Sequence, residues 1–173
     1  DDFVVGAGGW TVTGFNFLAF DNQFTPPMTE LADVYVYPDD GGLPGATPVC
    51  TSIGSTNNAS LYNQYTTLAG ITLNTPCDLS AGTYWVGVSF EIPTGAGFRF
   101  AYWGETTNTN GNMGAFRNPG GGFGTPCTSN WGSLAACGVA GSGGAQGFAF
   151  QVVGSSGGGT GGALDAGDAG AGA

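Results

Sequence analysis

The residues with the most definite chemistry in this chain are its four cysteines, Cys50, Cys77, Cys127 and Cys137. An even number of thiols, with no histidine and no C-x-x-C pair, reads as two disulfides and not as a metal site. Four cysteines allow three pairings, of which the two sequence-local links, Cys50 to Cys77 and Cys127 to Cys137, are expected. The absence of histidine also removes the Ser-His and Cys-His nucleophile pairs and disfavours zinc. Glu91 and Glu105 lie beside aromatic runs and are the only glutamates there that could pair as glycosidase carboxylates. Acids that flank strands are usually solvated ends, so no catalytic residue and no cofactor is expected. Asp39 and Asp40, in Pro38-Asp39-Asp40-Gly41-Gly42, are weak candidates for calcium. A plain reversal with Asx bonding accounts for them more simply, and no metal is expected.

A second set of residues has the chemistry of sugar recognition. Trp103, next to Tyr102 and supported by Trp85, Trp131 and Phe123, offers an aromatic platform on which a sugar ring could stack. Just beyond it, Asn108 and Asn110 in T-T-N-T-N-G-N carry amides that could bond sugar hydroxyls. Aromatics in a β protein more often fill the core, which is the simpler expectation for each of them.

The elements that must position these residues are strands. With 35 glycines and nine prolines, no window sustains a helical period. Trp10 to Phe20, Val34 to Tyr37, Leu68 to Leu73, Thr83 to Phe90, Phe98 to Trp103 and Phe148 to Val153 are β-rich runs bounded by turn residues. In the first run the apolar parity changes between Val12 and Phe15, with Gly14 at the change, which predicts a bulge. The expected fold is all-β, an antiparallel β-sandwich or jelly roll over residues 1–154. Residues 155–173 are almost entirely Gly, Ala and Ser. They read as a Gly-rich C-terminal tail, or as a strand that orders against a second subunit.

Charge narrows the partners. Only 8% of residues are charged, with two Lys or Arg against twelve acids and a formal net charge of −10. Nucleic acid and anionic headgroups would be repelled. No run of about 18 apolar residues is present, so membrane insertion is not expected. The disulfides, the low charge and the opening at Asp1-Asp2, in the manner of a chain whose signal peptide has been removed, point to a secreted protein, extracellular or at the cell surface.

Several segments carry a likeness. D-D-F-V-V with G-W-T-V-T-G, V-Y-V-Y-P-D-D-G-G-L-P-G, L-S-A-G-T-Y-W-V-G-V and F-R-N-P-G-G-G-F-G-T-P-C together resemble a family of secreted bacterial β-sandwich domains found in exported proteins with C-terminal sorting or anchoring segments. The resemblance implies export, a β-sandwich and association with a surface or matrix, and it brings no catalytic residues. After Gly154 the anchor helix and basic stop of that pattern are missing, so release or incorporation into an assembly is the expectation. From these features the chain is expected to be an extracellular structural protein, a fibre or matrix subunit whose partner is itself. Phe3, Val4, Val5 and Leu164 would be the subunit contacts in a strand exchange. A secreted carbohydrate-binding, adhesin-like module with a polysaccharide partner is the alternative.

Overall fold

The computed structural model describes residues 1–21, 30–61, 67–92, 101–107, 111–121, 127–139 and 147–156. Asn108, Asn110, Phe123, Leu164 and residues 157–173 of the tail lie outside that set. All regular structure among the described residues is β. The strands are β1 (Asp2–Val5), β2 (Trp10–Asp21), β3 (Ala32–Pro38), β4 (Cys50–Asn57), β5 (Ser60–Leu61), β6 (Thr67–Leu79) and β7 (Gly82–Phe90). They are followed by β8 (Ala101–Trp103), β9 (Glu105–Thr106), β10 (Ala115–Phe116), β11 (Gly132–Ser133), β12 (Gly147–Phe148) and β13 (Phe150–Ser156).

Nine of these strands make one antiparallel sheet in the order β1-β7-β3-β4-β6-β2-β13, with β5 added on β6 and β8 on β2. The sheet curls until its edges face each other. Phe3 of β1 lies 6.3 Å from Phe150 of β13, at opposite ends of the strand order, and 6.1 Å from Phe15 of β2. Between the two layers sit Phe15, Phe17, Val12, Val34, Val36, Ile71, Val86 and Val152, all buried. The fold is therefore sandwich-like, as the strand spacing predicts.

The bulge expected at Gly14 is present. Gly14 faces Val153 on β13 while Val12 faces Gly154, which leaves Thr13 unmatched. The extra residue restores parity, so that Val12 and Phe15 both point into the core. A Cβ on Gly14 would collide with the Ile71 carbonyl, so glycine is required where β2 and β6 approach.

β4 is the strand least visible in the sequence. Its inward positions are Ser52, Ser55 and Asn57, not apolar residues. They are tolerated because they bond one another and the backbone. Ser55 Oγ lies 2.8 Å from Ser52 Oγ, which accepts the Asn74 N–H at 2.8 Å, and Asn57 Nδ2 donates to the Glu30 carbonyl at 3.2 Å. β4 pairs with β3 at its start and with β6 at its end. The β3–β4 register shifts at Gly54, whose φ is +60° and whose N–H donates to the Asp33 carboxylate at 2.9 Å, and the pairing passes to β6 after Ser55. The Cys50–Cys77 disulfide ties the start of β4 to β6 and so links the two layers.

Asp2–Val5 extends the chain's own sheet. β1 pairs with β7, and Phe3 and Val5 are buried in the chain's own core while Val4 is exposed. At the other end, β13 continues through Ser155 and Ser156, which pair with Thr11 and Trp10.

Candidate functional site

The outer face of the β3–β7 pair is aromatic. Tyr35 stands opposite Gly87 and Tyr37 opposite Trp85, on the side away from the sandwich core. A cap made of residues 111–121 and 127–139 covers part of this face. Its regular structure is slight: β10 and β11 pair over two residues each, Asn118 N donates to the Cys127 carbonyl at 2.7 Å, and Leu134 N donates to the Gly114 carbonyl at 3.1 Å. The Cys127–Cys137 disulfide closes it, which is the second of the two local pairings expected. Gly132 lies directly against that bridge, since a Cβ there would come within 2.8 Å of both sulfurs.

Trp131 and Ala115 anchor the cap. Ala115 is buried with Tyr37 and Trp85, and the Trp131 ring packs edge-on against Tyr37 at 5.4 Å. Gly87 lies beneath both rings, where a Cβ would stand 3.7 Å from Tyr37 and 3.8 Å from Trp131, in ordinary van der Waals contact. Arg117 lies with its guanidinium carbon 4.6 Å from the Trp131 ring centroid, within cation–π range, and donates to the Tyr37 hydroxyl at 3.3 Å.

Between cap and sheet is an open cleft of about 950 Å³. Tyr35, Tyr37, Gly87 and Ser89 lie along its sheet side, Phe116, Arg117, Asn118 and Trp131 along its cap side, and Trp103, Glu105 and Phe148 at one end. Asp33 also lines it. Burial, and then the charge of Asp33, raise the Tyr35 phenol above its ordinary value, so it remains a neutral hydroxyl at physiological pH. Arg117 is the only Lys or Arg among the described residues.

The tryptophans named for the platform divide by role. Trp85 is buried between sheet and cap, and its indole N–H donates to Asp39 at 2.8 Å. Trp103 is half-buried at the end of the sandwich, stacked on Phe148 at 4.6 Å and edge-on to Phe17 at 4.9 Å, with its indole N–H given to the Ala149 carbonyl at 2.9 Å. The register explains this: Trp103 pairs with Ala19, so it shares the inward face of β2. Trp131 is the tryptophan held over the outer face. Both oxygens of Asp39 already accept bonds, Oδ1 from Trp85 and Oδ2 from Gly42 N at 3.3 Å. The P-D-D-G-G segment is the reversal expected, with Gly41 and Gly42 at φ of +67° and +86°. No group of three or more metal-ligating side chains occurs among the described residues. Glu91 does not line the cleft that Glu105 lines.

The sequence contained two signals for this site that were easy to pass over. Arg117 stands out only as one of two cations in the chain, and Tyr35 and Tyr37 only as the outward positions of a strand whose inward positions are valines. Compared with known proteins, the chain matches no family model, no curated protein and no solved structure.

Proposed function

We propose that this chain is an extracellular, non-catalytic carbohydrate-binding module, and that the glycan lies in the cleft between the cap and the β3–β7 face. The observation that carries this reading is the cleft's lining, where Tyr35, Phe116, Trp131 and Trp103 stand among hydroxyl, amide and carboxylate groups. Binding sites for small ligands combine apolar walls with a few placed polar groups in this way, and pyranose rings present both C–H faces and hydroxyls. Two disulfides accord with an oxidising compartment, where extracellular glycans are met.

The fibre reading draws less support. A strand exchange through Phe3, Val4 and Val5 would require β1 to leave β7. It would also break the bonds from Phe148 N to the Asp1 carboxylate at 2.6 Å and from Asn112 Nδ2 to Asp2 at 2.8 Å. The secreted-domain likeness fits either role.

Screening the protein on a broad glycan array, followed by calorimetry on the best binder, tests the proposal. Trp131→Ala should lose at least tenfold in affinity while the sandwich keeps its near-ultraviolet circular dichroism. An array without any binder, in a sample shown to be monomeric and folded, overturns it.

A further inference from the structure

Two buried donors beside the cleft, Trp131 Nε1 and Asn118 Nδ2, have no hydrogen-bond partner among the described residues. Buried polar groups in native proteins are nearly always paired, so each such exception calls for an explanation. These two lie on one structure, the cap, and their residues line one cleft. Neither nitrogen can accept; each can only donate. The residue next to Asn118 is Arg117, which spends one N–H on the Tyr37 hydroxyl and has others to give.

We infer that the cleft recognises an acidic sugar, a uronic-acid carboxylate carried on an otherwise neutral glycan, and that Arg117, Asn118 and Trp131 hold that carboxylate. The inference rests on the glycan-binding reading and names the class of sugar. A group of donors without acceptors is complementary to an anionic oxygen, and a guanidinium matches the planar pair of oxygens of a carboxylate. Both nitrogens are buried in the unliganded chain and belong to residues that line the cleft, so holding the carboxylate requires the Asn118 and Trp131 side chains, with Arg117, to turn toward the incoming oxygens. A polyanion is disfavoured. Asp33 and Glu105 line the same cleft and the chain carries a net charge of −10, so a ligand with charge on every residue would be repelled along most of its length. A single carboxylate meets Arg117, and the acids elsewhere in the cleft accept from neutral hydroxyls.

The test is an array printed in matched pairs, each uronic-acid-bearing oligosaccharide beside its carboxyl-reduced form, with calorimetry on the best pair. The acidic member should bind at least tenfold more tightly than the reduced one. Arg117→Gln should narrow that gap to less than threefold, and Arg117→Lys, which keeps the charge but not the fork, should leave it intermediate. The comparison between pairs uses the unaltered protein, so it stands even if a variant folds poorly. Equal binding of both members overturns the acidic-sugar inference and leaves the glycan-binding reading in place. Binding of neither member to the folded monomer overturns both.

Discussion

In the sandwich, β2 and β6 run for 12 and 13 residues and bury Phe15, Phe17, Ile71 and Val12 completely or nearly so. In the cap, β10 and β11 are two residues each, and Ala115, Leu134 and Cys137 are its buried apolar residues, with Cys127 half-buried. Each region has one disulfide, but the two bridges do different work. Cys50–Cys77 reinforces layers that already share an apolar core, whereas Cys127–Cys137 supplies much of what gives the cap a shape. Burial holds the sandwich, and the sandwich's outer face holds a lightly built cap that lines the proposed glycan cleft.

The largest expected effect lies in the sandwich. Phe15→Ala should cost about 3–5 kcal/mol, because a fully buried ring leaves a cavity in a packed core. Urea unfolding followed by tryptophan fluorescence measures it, and a loss below about 1 kcal/mol would break the contrast drawn here. Next is the removal of Cys50–Cys77 by paired serines. The bridge closes a separation of 27 residues, for which loop entropy gives roughly 3–4 kcal/mol. The same change at Cys127 and Cys137, with a separation of 10, should instead lower the sandwich's unfolding midpoint only slightly while abolishing glycan binding. If both pairs shift the midpoint equally, the cap is part of the cooperative core.

A pH dependence sharpens the comparison at β1, which joins the two regions. In the chain that begins at Asp1, the α-amino group donates to the Val86 carbonyl at 2.9 Å. Burial lowers it from its ordinary 8.0 to about 5, with the Asp2 charge opposing. Between those values the unfolded chain binds a proton that the folded chain does not. Stability should therefore rise as pH rises from about 5 to 8, by about 4 kcal/mol, and level off above that. With no histidine in the chain, no side chain with an ordinary pKa competes in that window. A flat profile in urea titrations at pH 5.5, 6.5 and 8 would mean that the amine of β1 is solvated. The smallest effect is expected at Gly132→Ala, which crowds both sulfurs of the cap disulfide and should weaken glycan binding severalfold with little change in the unfolding midpoint.

The sandwich was largely legible because its strands obey period-2 patterning, as in Val34 and Val36 inward with Tyr35 and Tyr37 outward. β4 was not, since hydrogen-bonded serines replace apolar side chains on its inner face. β1 is not legible as part of the sheet, because Phe3-Val4-Val5 is uniformly apolar and gives no sign either of its buried, exposed, buried alternation or of β7 as its partner. The cap was the least legible part. Its shape depends on long-range seating of Trp131 and Arg117 on Tyr37, and no local period encodes that. Trp103 adjoins a polar segment and lines one end of the cleft, but its half-burial on the inward face of β2 follows from cross-strand register with Ala19, which no local pattern encodes.

The four tryptophans allow the most direct test. In a ¹⁵N-labelled sample the indole N–H signals of Trp85 and Trp103 report bonds to Asp39 and Ala149, and that of Trp131 reports a donor with no acceptor among the described residues. Titration with the best-binding acidic oligosaccharide should move the Trp131 indole signal strongly downfield and protect it from exchange, while that of the fully buried Trp85 shifts little. Saturable binding that leaves the Trp131 signal in place would contradict a recognition site under the cap.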